Sequence, residues 1–189
     1  MGTNVSPSTV NRAVCYCDDC QAFHHHLGRA DLLDAHGGTD IVQVAPARLS
    51  FVQGQERIVG LRLTSGGLYR WYANCCRTPL GNTLSPAIPF VGIVAQAFES
   101  DALRPDELFG RPIGAIYIKY AVGRAPEGST TFNPRLFALA FCRVLGWRLR
   151  GRTWPHPFFE RASRAPRFPL RTLSHDEREA LRPLCGPGP

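Results

Sequence analysis

Apolar and polar positions change their rhythm twice along this chain of 189 residues. The first dozen positions are polar and aperiodic, so residues 1–13 are expected to form a flexible leader. The stretch Arg29–Gly38 (RADLLDAHGG) predicts a short helix stopped by Gly37 and Gly38. From Thr39 to Tyr120 the period falls to two. Ile41–Val44 reads as a strand ended before Pro46. Ile58–Leu63 alternates, with Val59, Leu61 and Leu63 on one face; Ser65, Gly66 and Gly67 supply a turn, and Leu68–Ala73 forms the return arm of a hairpin. Further strands are predicted over Phe90–Val94 and Ile113–Tyr120.

The rhythm then lengthens to the helical period. Asn133-Pro134 is a capping side chain followed by proline at the first helical position, opening a helix over 134–150. Its Phe137, Phe141, Val144 and Leu145 recur at helical spacing and are expected to cover the sheet. A last helix is predicted at His175–Leu181, with Ser174 as cap and Glu177 closing a capping box. The tail Cys185–Pro189 is expected to be disordered. The fold class is therefore mainly β with a helical, Arg-rich C-terminal extension, α+β as a whole. Its segments are a leader (1–13), a β domain (14–125) and the extension (126–189).

Composition narrows the function classes. No run approaches the roughly 20 apolar residues of a membrane span, and Met1–Arg12 lacks a secretory core, so a cytoplasmic protein without a membrane partner is expected. The net charge of +7 is uneven, with eight basic and ten acidic residues in 1–110 but fourteen and five in 111–189. Only Lys119 is a lysine; this reads as an arginine-rich solvated surface, with nucleic-acid binding as the less favoured alternative.

Candidate chemistry lies in the seven cysteines. Cys15, Cys17 and Cys20 form a CxCxxC cluster, and three thiolates on one tight loop can occupy three corners of a zinc tetrahedron. The fourth corner is left for water, substrate or a distant residue; Cys75 or Cys76 is a candidate. Two neighbouring cysteines such as Cys75 and Cys76 rarely bridge each other. His24, His25 and His26 follow the cluster; one can complete the site or carry protons, or the run is simply an exposed polar stretch. Asp18 and Asp19 either orient the thiolates or solvate the loop. Cys142 is expected in the core and Cys185 in an inert tail. No phosphate loop, dinucleotide fingerprint, HExxH or GxSxG motif occurs.

Residues 15–20 resemble the CHCxxC motif of the glutathione-dependent formaldehyde-activating enzyme and CENP-V-like family, with Tyr16 where histidine is usual. Residues 72–80 resemble its FCxxCGTPL motif, although Ala73 stands at the first cysteine and Arg77 at the glycine; Cys76 matches the second cysteine. The segments VCYCDDCQAF, GGTDIVQVAP and RWYANCCRTPLGNT look closer still to an uncharacterised bacterial branch. The resemblance implies an Mss4-like coiled antiparallel sheet over about residues 14–120 and one zinc ion held by Cys15, Cys17 and Cys20. It also implies a carbon–sulfur lyase acting on a thiol or thiol–aldehyde adduct, with glutathione as the small thiol and Arg70 or Arg77 to attract it. A second, structural zinc needs an upstream cysteine pair; nothing before Cys15 is cysteine, so that site is lost or the natural chain begins upstream of Met1. The alternative is a non-catalytic zinc-stabilised binding module with a basic C-terminal contact surface.

Overall fold

The computed structural model describes residues 2–3, 11–98, 104–124 and 133–187. The strands are β1 (Gly2–Thr3), β2 (Asn11–Cys15), β3 (Thr39–Val44), β4 (Leu49–Ser50), β5 (Ile58–Arg62), β6 (Tyr69–Ala73), β7 (Thr78–Thr83), β8 (Val91–Val94), β9 (Ala115–Ile116) and β10 (Leu170–Thr172). Four helices accompany them: α1 (Asp18–Leu27), α2 (Pro105–Phe109), α3 (Pro134–Leu149) and α4 (His175–Leu181). Eight strands form one sheet in the order β10-β5-β6-β7-β8-β3-β2-β9, while β1 and β4 pair separately. The interior is antiparallel, as the hairpin pattern predicts. Both edges are parallel, β10 against β5 and β9 against β2, so the sheet is mixed.

Period-two alternation gives this sheet two buried faces. Trp71 and Tyr69 of β6 point one way, with Val42, Val44, Val91 and Ile93, onto Phe158 and Phe159 from the loop after α3. Phe158 stacks on Trp71 with ring centroids 4.8 Å apart, and Phe159 meets Trp71 edge-on at 5.8 Å. Arg70 and Tyr72 point the other way. There Phe23 and Leu27 of α1 meet Leu61, Leu63, Leu173 and Leu181, the last from α4.

Several expectations need correction. Asn11, Arg12 and Ala13, assigned to the leader, are buried members of β2, paired with β3 through Asn11↔Gln43 to Ala13↔Ile41; the other leader positions except 2–3 lie outside the described residues. The stretch 29–38 holds one 3-10 turn at Ala30–Leu32, and the true helix is the preceding α1. The strand over 113–120 shortens to β9 and a 3-10 turn at Ile118–Tyr120. Helix α3 starts where predicted, with Asn133 Oδ1 accepting from Leu136 N at 3.1 Å, but it is turned the other way. Leu136 and Trp147 are its buried residues, while Phe141 is 68% exposed and Leu145 43%. The space on the sheet that Phe141 was expected to fill is taken by Phe158, Phe159 and Phe168. Cys142 is exposed rather than in the core. Helix α4 has the predicted box, with Ser174 Oγ accepting from Glu177 N at 3.2 Å and Glu177 Oε2 from Ser174 N at 2.8 Å. The tail is partly held: Cys185 is half-buried, and the Gly186 amide donates to Gln21 Oε1 at 2.8 Å.

A candidate metal centre beneath an apolar cavity

The end of β2 and the first turn of α1 bring the three cysteines together. Cys15 is the last residue of β2, and Cys17 caps α1, its sulfur accepting from Cys20 N at 3.4 Å. Asp18 and Asp19 in the first turn complement the helix dipole, and Gly28, at φ +65°, closes the helix in the left-handed conformation that glycine adopts without strain. The three sulfurs lie within 4.8 Å of one another, at 3.4 Å for Cys15–Cys17 and 3.7 Å for Cys15–Cys20. A tetrahedral ion with sulfurs at about 2.3 Å separates them by roughly 3.8 Å, so the donor set fits a zinc-sized ion. The cluster can therefore hold a metal.

Its electrostatics are graded. Hydrogen bonds from the Cys15 and Cys17 thiols hold Cys20 well below the ordinary thiol range; burial opposes this and the Arg70 guanidinium adds to it. Hydrogen bonding to Cys17 and Cys20, with burial, pushes the Cys15 thiol well up. Arg70, 2% exposed, places Nη1 3.7 Å from Cys20 Sγ and Nη2 3.6 Å from Asp19. Arg178 of α4 donates to Asp18 at 2.8 Å and to Asp19 at 3.0 Å. The aspartates thus tie the cysteine turn to β6 and to α4. A cavity of about 430 Å³ opens over the triad, lined by Cys15, Cys17 and Cys20 together with the strand residues Ile41 and Asn82 and with Phe90, just before β8.

Residues 2–166 match the description "Family of unknown function (DUF6151)". The chain belongs to that family. No curated protein and no solved structure matches it. The DUF6151 match spans the triad, Arg70 and every residue lining the cavity, while Arg178 follows it in the chain.

The remaining candidate residues of this DUF6151 chain separate from the triad. Cys76, a candidate fourth ligand, is outside the only metal-capable group among the described residues. It is exposed on the turn after β6, its sulfur 3.9 Å from Cys75 Sγ and 3.1 Å from Thr78 Oγ1. Arg77 shares the turn at φ 55°, and Arg70 alone of the two arginines reaches the cavity. His24 is buried on α1, with Nδ1 2.9 Å from Cys20 O, so it is no part of an exposed stretch. Tyr16 is buried and donates to Asp34 Oδ2 at 2.8 Å, bracing the loop after α1; it does not line the cavity. Reading from the sequence missed Arg178 and the cavity wall, because only sheet register and the docking of α4 bring them to the triad.

Hydrogen bonding to Thr78 holds the Cys76 thiol below its ordinary value, assisted by Cys75 and Arg29 and opposed by slight burial. A lowered value keeps Cys76 a thiolate at pH values where an ordinary thiol is protonated, and the advantage disappears above the ordinary range. Iodoacetamide at neutral pH is therefore expected to label Cys76 several-fold faster than exposed Cys142, with the two rates converging by about pH 9–10. Peptide mass spectrometry against time reads both rates, and faster labelling of Cys142 at pH 7 contradicts the assignment.

Proposed function

We propose that Cys15, Cys17 and Cys20 hold one zinc ion and that the protein uses it to bind a small thiol or a thiol–aldehyde adduct, in the manner of a carbon–sulfur lyase. The observation that carries the reading is a trio of sulfurs facing a cavity, Cys15 and Cys20 buried and Cys17 half-buried, with no fourth side chain drawn into the group among the described residues. An open coordination position of this kind accompanies chemistry, whereas a closed one accompanies a structural role. Zinc bound there would supply Lewis acidity and lower the pKa of a bound thiol. The motif resemblance of residues 15–20 to the formaldehyde-activating family supports the thiol assignment.

The chain's own groups have separable tasks in this reading. Arg70 faces Cys20 from behind and stabilises its thiolate. Arg178 holds Asp18 and Asp19 and so fixes the turn that carries Cys17 and Cys20. Leu68, Leu84 and Phe90 exclude water from the space above the sulfurs.

The reading is tested on protein loaded with cobalt in place of zinc. A small thiol such as 2-mercaptoethanol is expected to change the sulfur–cobalt charge-transfer band saturably, with proton release as the thiol ionises. A spectrum indifferent to thiol at all concentrations supports the closed, purely structural site of the alternative binding module.

A further inference from the structure

The cavity over the triad is charged at its floor and apolar around its walls. Ile41, Leu68, Leu84, Phe90, Ile116 and Tyr117 form its apolar and aromatic part, with Ala13 and Tyr120. Leu84 and Tyr117 are 45% and 46% exposed, so the mouth is apolar as well. The amides of Gln43 and Asn82 are uncharged polar groups of the lining, beside the tyrosines Tyr117 and Tyr120.

The charged lining residues are Asp18, Asp19 and Arg70. Arg70 is 2% exposed and turns its guanidinium to Cys20 and Asp19. Arg178, from outside the lining, engages both aspartates. Three thiolates around a divalent cation retain one negative charge, and the two aspartates are offset by the two arginines. Among the described residues Arg70 is the one cation of the lining; its Nη atoms face Cys20 and Asp19, and its Nε, which has no hydrogen-bond partner, is buried, so the wall presents no exposed cation to a ligand carboxylate, and the floor beneath is net negative. A carboxylate brought into this space loses its hydration without gaining an exposed cationic partner.

Resting on the metal–thiol reading above, we infer that the cavity selects an apolar, uncharged thiol or its aldehyde adduct, with an alkyl or aryl group against the walls, and disfavours carboxylate-bearing thiols, glutathione among them. The cavity volume of about 430 Å³ suits a compact ligand of this class. The amides of Gln43 and Asn82 line the same cavity and can bond a carbonyl or hydroxyl without requiring charge.

The test compares butane-1-thiol, 3-mercaptopropionate and glutathione on the cobalt-loaded full chain at one pH and ionic strength. The first two have similar reach and similar thiol acidity and differ in the terminal carboxylate. Half-saturation of the cobalt band by butane-1-thiol is expected at a concentration at least about tenfold lower than by either anion. Shortening the alkyl chain should weaken binding about three- to fourfold per methylene. Leu84→Lys, at a half-exposed position that tolerates a long side chain, should shift the preference at least about fivefold towards 3-mercaptopropionate. Equal or tighter binding of glutathione or 3-mercaptopropionate to the unmodified chain overturns the inference while leaving the thiol reading standing. Silence from all three thiols overturns both. A Leu84→Lys protein with unchanged preference shows that the apolar mouth does not select, and overturns the inference on independent grounds.

Discussion

If the triad holds zinc as proposed, Cys17→Ser is expected to weaken that binding by more than about 100-fold while leaving the β core folded. Losing one of three thiolate ligands should cost at least as much as the 10–100-fold typical of an outer-shell partner. Serine is the informative replacement because Cys17 also caps α1, accepting from Cys20 N at 3.4 Å. A serine oxygen makes the same bond and is a favoured cap, so the helix start survives and the metal term is isolated. The core around Trp71, Phe158 and Phe159 lies on the opposite face of the sheet and does not pass through the cysteine turn. A competition titration against a chromophoric chelator gives the affinity, and circular dichroism of the metal-free protein gives the fold. Unchanged affinity removes the triad as the metal site. Loss of the whole fold on chelation alone assigns the metal a structural role instead.

Phe158→Ala should cost about 3–5 kcal/mol, and Phe141→Ala no more than about 0.5 kcal/mol. Phe158 has no exposed surface; it stacks on Trp71 and meets Phe51 edge-on at 5.3 Å. Truncation removes that burial and leaves a cavity among rigid rings that cannot close it. Phe141 is 68% exposed on α3, so its truncation removes little buried surface. In a chain of this size each kcal/mol moves the melting temperature by about 2–4 °C, so the two variants should separate by roughly 10 °C. Urea unfolding checks the order through the midpoints. Comparable losses for both would mean that α3 covers the sheet after all.

These two phenylalanines also show where sequence reading stops. The β5–β6 hairpin, the Asn133 cap and the Ser174–Glu177 box were legible because each is decided within a few residues. Helix α3 was located but not oriented: Leu136 and Trp147 form one apolar side, Phe137, Phe141 and Leu145 another, and periodicity cannot choose between them. The competitor for the sheet surface, Phe158 to Phe168, sits in a Pro- and Arg-rich loop with no period at all. Helix α1 was hidden by its own chemistry, since the Cys–His run reads as a metal loop and a cysteine is not among the usual caps. Its Cys20, Phe23 and Leu27 do recur at helical spacing and end at Gly28, a signal that could have been weighed. The triad itself was legible from spacing, because β2 ending at Cys15 and α1 starting after Cys17 need only local geometry. The cavity walls were not, because Ile41, Arg70, Asn82 and Phe90 come from four stretches joined by sheet register.

The Arg178 clamp has a consequence for biosynthesis. Asp18 and Arg178 are separated by 160 positions, and β10 reaches its partner β5 across more than a hundred. At about 5–20 residues per second, a ribosome needs roughly 8–30 s to get from one end of that ion pair to the other. During this interval the cysteine turn lacks its clamp. Nascent chains paused before Arg178 should therefore expose a looser, more readily oxidised set of thiols than the released protein.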